Sequence, residues 1–152
     1  MKNLLIIFFM LSSISCIQDK KCDLPAQIIG SGEIVSNALV DQPLINWEIS
    51  KFEHVIQTDS QNVFNLKVSF DNGATYGTIN FNQYTLLGKY ASGGCQVVYE
   101  REVSKIDVAK KCFYKIKVHQ CGTCEKYSES MNWVLVSKIP KDYSVSFIVE
   151  KK

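Results

Sequence analysis

Histidine, proline and net charge are all in short supply in this chain. Two histidines in 152 residues leave little material for an imidazole-centred site. Three prolines, Pro25, Pro43 and Pro140, exclude a proline-rich spacer. A formal charge of +2, from 17 Lys and Arg against 15 Asp and Glu, removes any compositional argument for nucleic acid. No repeat or low-complexity block interrupts the sequence, and no apolar stretch approaches the about 20 residues of a transmembrane helix. Hydrophobic content of 46% with 21% charged residues excludes a disordered chain. The length suits one domain with its own core.

The N-terminus carries the parts of an export signal. Lys2 precedes the apolar run Leu4-Leu5-Ile6-Ile7-Phe8-Phe9-Met10-Leu11, which is followed by Ser12-Ser13-Ile14-Ser15-Cys16. A buried N-terminal helix is the competing reading, but the run has no polar face. A cysteine directly after small residues resembles a bacterial lipoprotein signal, in which that cysteine is lipidated and becomes the first mature residue. Ser15 fits the resemblance; Ser13 stands where a Leu-like residue is usual. The expected organisation is a lipoprotein signal peptide over 1–15, a polar tether over 16–26 and a single β-rich domain over 27–152. The membrane is then a partner through lipid on Cys16. The expected location is a bacterial cell-envelope membrane, the outer membrane ahead of the inner.

From residue 63 onward the hydrophobic signal has a period of two, the mark of half-buried strands. Phe64, Leu66, Val68 and Phe70 share a face, and Asp71-Asn72-Gly73 reads as a turn into a second strand with Ile79 and Phe81 inward. Cys95, Val97, Tyr99 and Val103 oppose Gln96, Glu100 and Glu102. Tyr114, Ile116 and Val118 oppose Lys115, Lys117 and His119. Trp133 to Val136 and Val145-Phe147-Val149 complete the set. Gln27 to Val35 reads as a strand broken at Gly30 and Gly32. Ile45 to Phe52 fits strand or helix, with strand favoured. The expected fold is all-β: an antiparallel sandwich or barrel-like sheet with at most one short helix.

With Cys16 taken by lipid, Cys22, Cys95, Cys112, Cys121 and Cys124 remain, and an exported chain with this many is expected to form disulfides. A hairpin between strands 96–103 and 111–119 sets Cys95 near His119, with Cys112 over 20 Å away at about 3.4 Å per residue. That separation excludes a Cys95–Cys112 bond. Cys95 is expected to bond one member of the Cys121-Gly122-Thr123-Cys124 turn. Cys22 is a candidate for a second pair, and Cys112 has the parity of a buried thiol. Two sharper chemistries compete with this stapled turn. His119, Cys121, Cys124 and Cys95 could hold zinc, but the second knuckle of a zinc ribbon is missing. Cys121 and Cys124 could exchange disulfides, but a thioredoxin-type CxxC opens a helix, and Ser128 to Val136 reads as strand. No metal and no cofactor is expected.

No hydrolase motif such as G-x-S-x-G is present. His54 and His119 read as solvated side chains, and Glu100, Arg101 and Glu102 as strand polarity. Lys110-Lys111 and Lys151-Lys152 are too few charges for a nucleic-acid footprint. The segment Leu87 to Cys95, with Gly93 and Gly94, reads as a flexible connection between strands. A strand edge and this loop, with Lys89, Tyr90, Ser92, Gly93 and Gly94 as its candidate residues, are the expected partner contact; a bulge or corner in the sheet is the bland alternative.

Ile79-Asn80-Phe81, Leu86-Leu87-Gly88, Ser92-Gly93-Gly94-Cys95-Gln96-Val97 and Trp133-Val134-Leu135-Val136-Ser137-Lys138-Ile139-Pro140 together resemble the C-terminal domain of the protease complex subunit PrcB family. The resemblance covers about residues 76–149. Asn80 replaces the usual Asp, Cys95 replaces an aromatic, and the CxxC is extra. The resemblance implies a noncatalytic envelope protein that binds and stabilises a surface protease. The chain is accordingly expected to be no enzyme but a lipid-anchored binder of another envelope protein. Thiol–disulfide exchange at Cys121 and Cys124, and small-ligand binding inside the sheet, are the alternatives.

Overall fold

A computed structural model describes residues 30–35, 39–40, 53–71, 74–122 and 126–152. The expected signal segment 1–15, Cys16, the expected tether, Cys22, Cys124, the expected turn at Asn72-Gly73 and the segment 45–52 lie outside the described residues. Among the described residues nine strands follow one another: β1 (Ser31–Gly32), β2 (Leu39–Val40), β3 (Glu53–Ile56), β4 (Val68–Ser69), β5 (Tyr84–Gly94), β6 (Gln96–Ile106), β7 (Lys111–Cys121), β8 (Tyr127–Ser137) and β9 (Ser144–Lys151). The one helical turn among the described residues is a short 3-10 turn at Asp59–Gln61. The fold is all-β, as the alternation predicts.

The long strands form two sheets, ordered β1-β6-β7-β9 and β3-β5-β8, and β2 pairs separately with β4. Pairing is mixed, where the turn spacing predicts a purely antiparallel sandwich: β1 runs parallel to β6, and β9 parallel to β7. The reason is the path of the chain. After β7 it crosses to the other sheet, runs back along β5 as β8, and returns to β7 from the starting end. A strand that returns after one such excursion is necessarily parallel.

Alternation explains β6, β7 and β9. Val103, Cys112, Tyr114, Ile116 and Val118 turn inward and meet Leu87, Ala91, Val134 and Val136 of the second sheet. The second sheet is apolar on its other face too. Leu86, Met131, Trp133 and Leu135 pack there against Ile56, Leu66, Val68, Ile79 and Phe81. The molecule is therefore layered, with sheet β3-β5-β8 in the middle and the segment 57–83 as an outer cover. A strand buried on both faces reads as a continuous apolar run, and Trp133 to Val136 is such a run.

Burial of Leu66, Val68, Ile79 and Phe81 follows the predicted parity, yet no hairpin forms there. Asn65 has φ 50°, which breaks an extended strand, and Val68 meets Gly77 only at an isolated bridge. Phe70, expected inward, is 49% exposed. The β6–β7 hairpin is tighter than expected. Strand runs to Ile106, which faces Lys111, so Val103 faces Tyr114 rather than Lys111. The turn is closed by Ala109 N–H donating to Ile106 O and Lys110 N–H to Asp107 O, with Lys110 at φ 50°. Gln27 to Val35 contributes only β1 and a bridge from Ile34 to Val136 among its described residues.

Candidate functional site

Lys89, Tyr90, Ser92, Gly93 and Gly94 do not form a loop. They lie in β5, facing Asn132, Met131, Glu129, Ser128 and Tyr127 of β8. Gly93 is small because the two sheets converge there: a Cβ would stand 2.9 Å from Val97 Cγ2 and 3.1 Å from Val118 Cγ1. The bland alternative of a sheet corner is what the backbone shows. One residue, Cys95 at φ 55°, carries the chain from β5 of one sheet into β6 of the other.

That corner brings two of the described cysteines together. Cys95 forms a parallel bridge with Cys121, the last residue of β7. Gly122 turns the chain away at φ 92°, and a Cβ on it would lie 3.1 Å from Cys95 Sγ. Cys95 N–H donates to Lys126 O at 2.7 Å, and Ser128 Oγ donates to Cys95 O at 3.3 Å. Neither Cys95 nor Cys121 lacks a partner. The free cysteine among the described residues is Cys112, fully buried near the opposite end of β7, and burial pushes its thiol up. Cys121 ends a strand and does not open a helix, so the helix dipole that lowers a redox-active thiol is not supplied there.

A cleft of about 440 Å³ opens beside this corner, lined by Gly94, Gln120, Cys121, Gly122, Tyr127, Lys151 and Lys152. Gln120 Oε1 accepts from Gly94 N–H at 3.0 Å. Its oxygen keeps a second lone pair and its amide NH₂ can donate.

His119 is on the outer face of β7, not beside a nucleophile. Glu100 holds it at 2.9 Å through Oε2 and accepts from Lys117 Nζ at 2.9 Å through Oε1. The Lys117 hydrogen bond, then that of His119, keeps the Glu100 carboxyl below the usual carboxylate range. Glu102 lies 3.8 Å from the same ammonium. Two carboxylates on one face thus share a lysine, which is an ion-pair lattice and not an acid–base pair. Among the described residues no three His, Cys, Asp or Glu side chains converge as a metal site would need. His54 rests on apolar rings, with its centroid 5.2 Å from that of Trp133 and 5.7 Å from that of Phe64. Arg101 departs from the surface role expected of it. It stands on the core-facing parity of β6 between Tyr99 and Val103, donates to Trp133 O at 3.1 Å, and leaves its Nε buried without an acceptor.

Two features escaped the sequence reading. One is the donor-rich cleft, because Gln120, Tyr127 and Lys151 are brought together only by strand pairing. The other is the outer edge of β9. Ser144 N–H donates to Lys110 O and Lys152 N–H to Val118 O, so even-numbered residues turn their backbone groups to β7. Val145, Phe147, Val149 and Lys151 turn theirs to the outside, where no strand pairs among the described residues. No protein-family model matches the chain, and no curated protein and no solved structure matches it either.

Proposed function

We propose that this chain is a non-catalytic cell-envelope lipoprotein, anchored by lipid on Cys16, whose β-domain binds and stabilises another envelope protein. The observation that carries the reading is the edge of β9, eight residues long and, among the described residues, paired with β7 only. An open edge of this length is a template for an added strand from another chain. Its side chains suit that use, with Ser144 and Ser146 facing solvent and Val149 37% exposed. The resemblance to the PrcB family makes a surface protease the first partner to test. We therefore put the contact first at β9 and not at the Lys89–Gly94 segment, which is strand paired with β8.

Val149→Pro separates binding from folding. Its N–H points away from β7, so proline there removes an outward donor and leaves the β7 ladder whole. Affinity capture from solubilised membranes is expected to lose its partner with this variant, while the thermal midpoint stays near that of the parent. An unchanged partner set removes the edge from the account. Labelling with a radioactive fatty acid, lost in Cys16→Ala, tests the anchor independently. We also propose that Cys95 is disulfide-bonded to the Cys121–Cys124 turn. Iodoacetamide mapping should find Cys95 protected until the protein is both reduced and unfolded. A Cys121–Cys124 bond in rapid exchange with glutathione would instead support the redox alternative.

A further inference from the structure

What can add to the edge of β9 is set by the residues of β9. Val145, Phe147 and Val149 turn their backbone groups away from β7. The same residues have the inner parity: Val145 and Phe147 pack on the core, and Val149 stays 37% exposed. The Phe147 ring meets Tyr114 of β7 with centroids 5.9 Å apart. Ser144, Ser146, Ile148 and Glu150 take the outer face, where Glu150 meets Lys115. Sheet edges are commonly guarded by proline, a bulge or an inward charge. The register of β9 on β7 runs unbroken from Ser144 to Lys151 without proline, and its one inward charge, Lys151, stands at the end. A strand that adds here needs apolar residues on the inner side and polar ones on the outer. β9 has that pattern itself.

Two copies of β9 related by a two-fold axis perpendicular to the sheet pair antiparallel and keep both inner faces on the same side. A parallel pair, with the axis along the strands, would continue the inner face of one copy as the solvent face of the other. Because the faces must match, the axis falls on a residue and not between two. With the axis on Phe147, the inner side sets Phe147 against Phe147 and Val145 against Val149 of the second copy, and each of these pairs exchanges backbone hydrogen bonds. The outer side sets Ser146 against Ile148 and Ser144 against Glu150. Beyond the strand ends it brings Lys152 level with Asp142, opposite charges, once at each end of the pair. Lys152 continues the line of β9 and is exposed, and the Asp142 side chain is 56% exposed where it meets Lys110. The neighbouring registers are worse. With the axis on Ser146, Asp142 opposes Glu150 and Lys141 opposes Lys151. On Ile148 or Val149, the Lys151 ammonium enters the apolar row against Val145 or Phe147.

We propose that β9 pairs antiparallel with β9 of a second copy of this chain, with Phe147 on the two-fold axis, so that the β1-β6-β7-β9 sheets of two molecules become one. The inference rests on the same open edge as the binding reading and names its occupant when no other envelope protein is engaged. A strand from such a protein displaces the second copy, so the two uses of the edge exclude each other.

Sedimentation equilibrium of the intact purified chain in density-matched detergent is expected to show a monomer–dimer equilibrium, with a dissociation constant on the order of 10 μM. Val149→Pro should leave a folded monomer. Lys152→Asp should weaken the dimer about ten-fold, and adding Asp142→Lys to it should restore the parent's affinity. Cysteines fix the register. Ser146→Cys and Ile148→Cys, mixed and oxidised, should give a covalent dimer that neither variant gives alone and the parent does not give, because these positions face each other in a non-hydrogen-bonded pair. A parent that stays monomeric overturns the proposal, as does a dimer that Val149→Pro leaves intact, a charge swap without restoration, or crosslinking of Ser146→Cys with itself. A monomeric parent whose envelope partner is still lost with Val149→Pro refutes self-pairing and leaves the binding reading standing. A dimer dissolved by Val149→Pro, with the captured partner set unchanged, upholds self-pairing and refutes the binding reading.

Discussion

Replacing Gly88 by alanine tests the layered core at its tightest point. Gly88 faces Trp133 across the β5–β8 ladder. A Cβ on it would lie 2.2 Å from Trp133 Cζ3 and 2.3 Å from Cε3. Carbon atoms at rest stand about 3.5–4.0 Å apart, so the indole must withdraw by more than about 1 Å. Its retreat is obstructed, because the ring is 4% exposed and His54 packs against it. Overpacking of this kind costs about 1–3 kcal/mol. Loss of the glycine's unfolded-state freedom returns about 0.5–1 kcal/mol. The net expectation is a destabilisation of about 1–2 kcal/mol. Trp133→Ala alone should cost about 3–5 kcal/mol. In that background the obstruction is gone, and Gly88→Ala should stabilise by about 0.5–1 kcal/mol. The coupling is thus about 2–3 kcal/mol with a reversal of sign. Urea unfolding of the four proteins, followed by far-UV circular dichroism, measures the cycle. If Gly88→Ala has the same effect with and without the indole, the close approach of ring and backbone is not what requires glycine.

Three further outcomes follow from the same structure. Gly93→Val should destabilise by about 1–3 kcal/mol, whereas Gly94→Val, whose Cβ would meet nothing within 4 Å, should be far milder in the same urea titration. Lys138→Met should cost about 1–3 kcal/mol, because its ammonium donates to Gln57 O at 2.8 Å and Phe81 O at 2.6 Å and so ties the outer layer to β8; unchanged protease resistance of residues 57–83 would refute that role. Glu100, Asp142 and Asp71 are all held below the ordinary carboxylate range, by Lys117 and His119, by Lys110, and by Ser69 and Thr75 respectively. Their contribution is therefore present above the unfolded value of about 4 and is lost as pH falls through the folded values. Urea midpoints should fall on acidification below about pH 4, less steeply in Glu100→Gln, and a midpoint that rises there would contradict the assignment.

The fold class and the inward parity of β7 are legible in the residue order. β7 buries Cys112, Tyr114, Ile116 and Val118 and leaves the residues between them part-exposed, so its alternation is printed in the residue order, while β6 and β9 carry the same period with only partial burial. β5 escaped because its signal is erased by burial on both faces. Leu86 enters one core and Leu87 the other, so no polar residue alternates with them. Gly88 and Gly93, which read as flexibility, are positions where Trp133 and the facing sheet come too close for a Cβ. The segment 62–81 failed in the opposite way. Its parity holds for Leu66, Val68, Ile79 and Phe81 but not for Ser69 and Phe70, Asn65 in the left-handed region breaks the extended run before the two-residue β4, and a loop that buries alternate residues looks the same in sequence. Only tertiary structure decided that β9 lies beside β7 with its outer edge open. Only tertiary structure brought Gln120, Tyr127 and Lys151 around one cleft. Strand pairing joins residues far apart in the chain, and residue order alone does not encode which edge meets which.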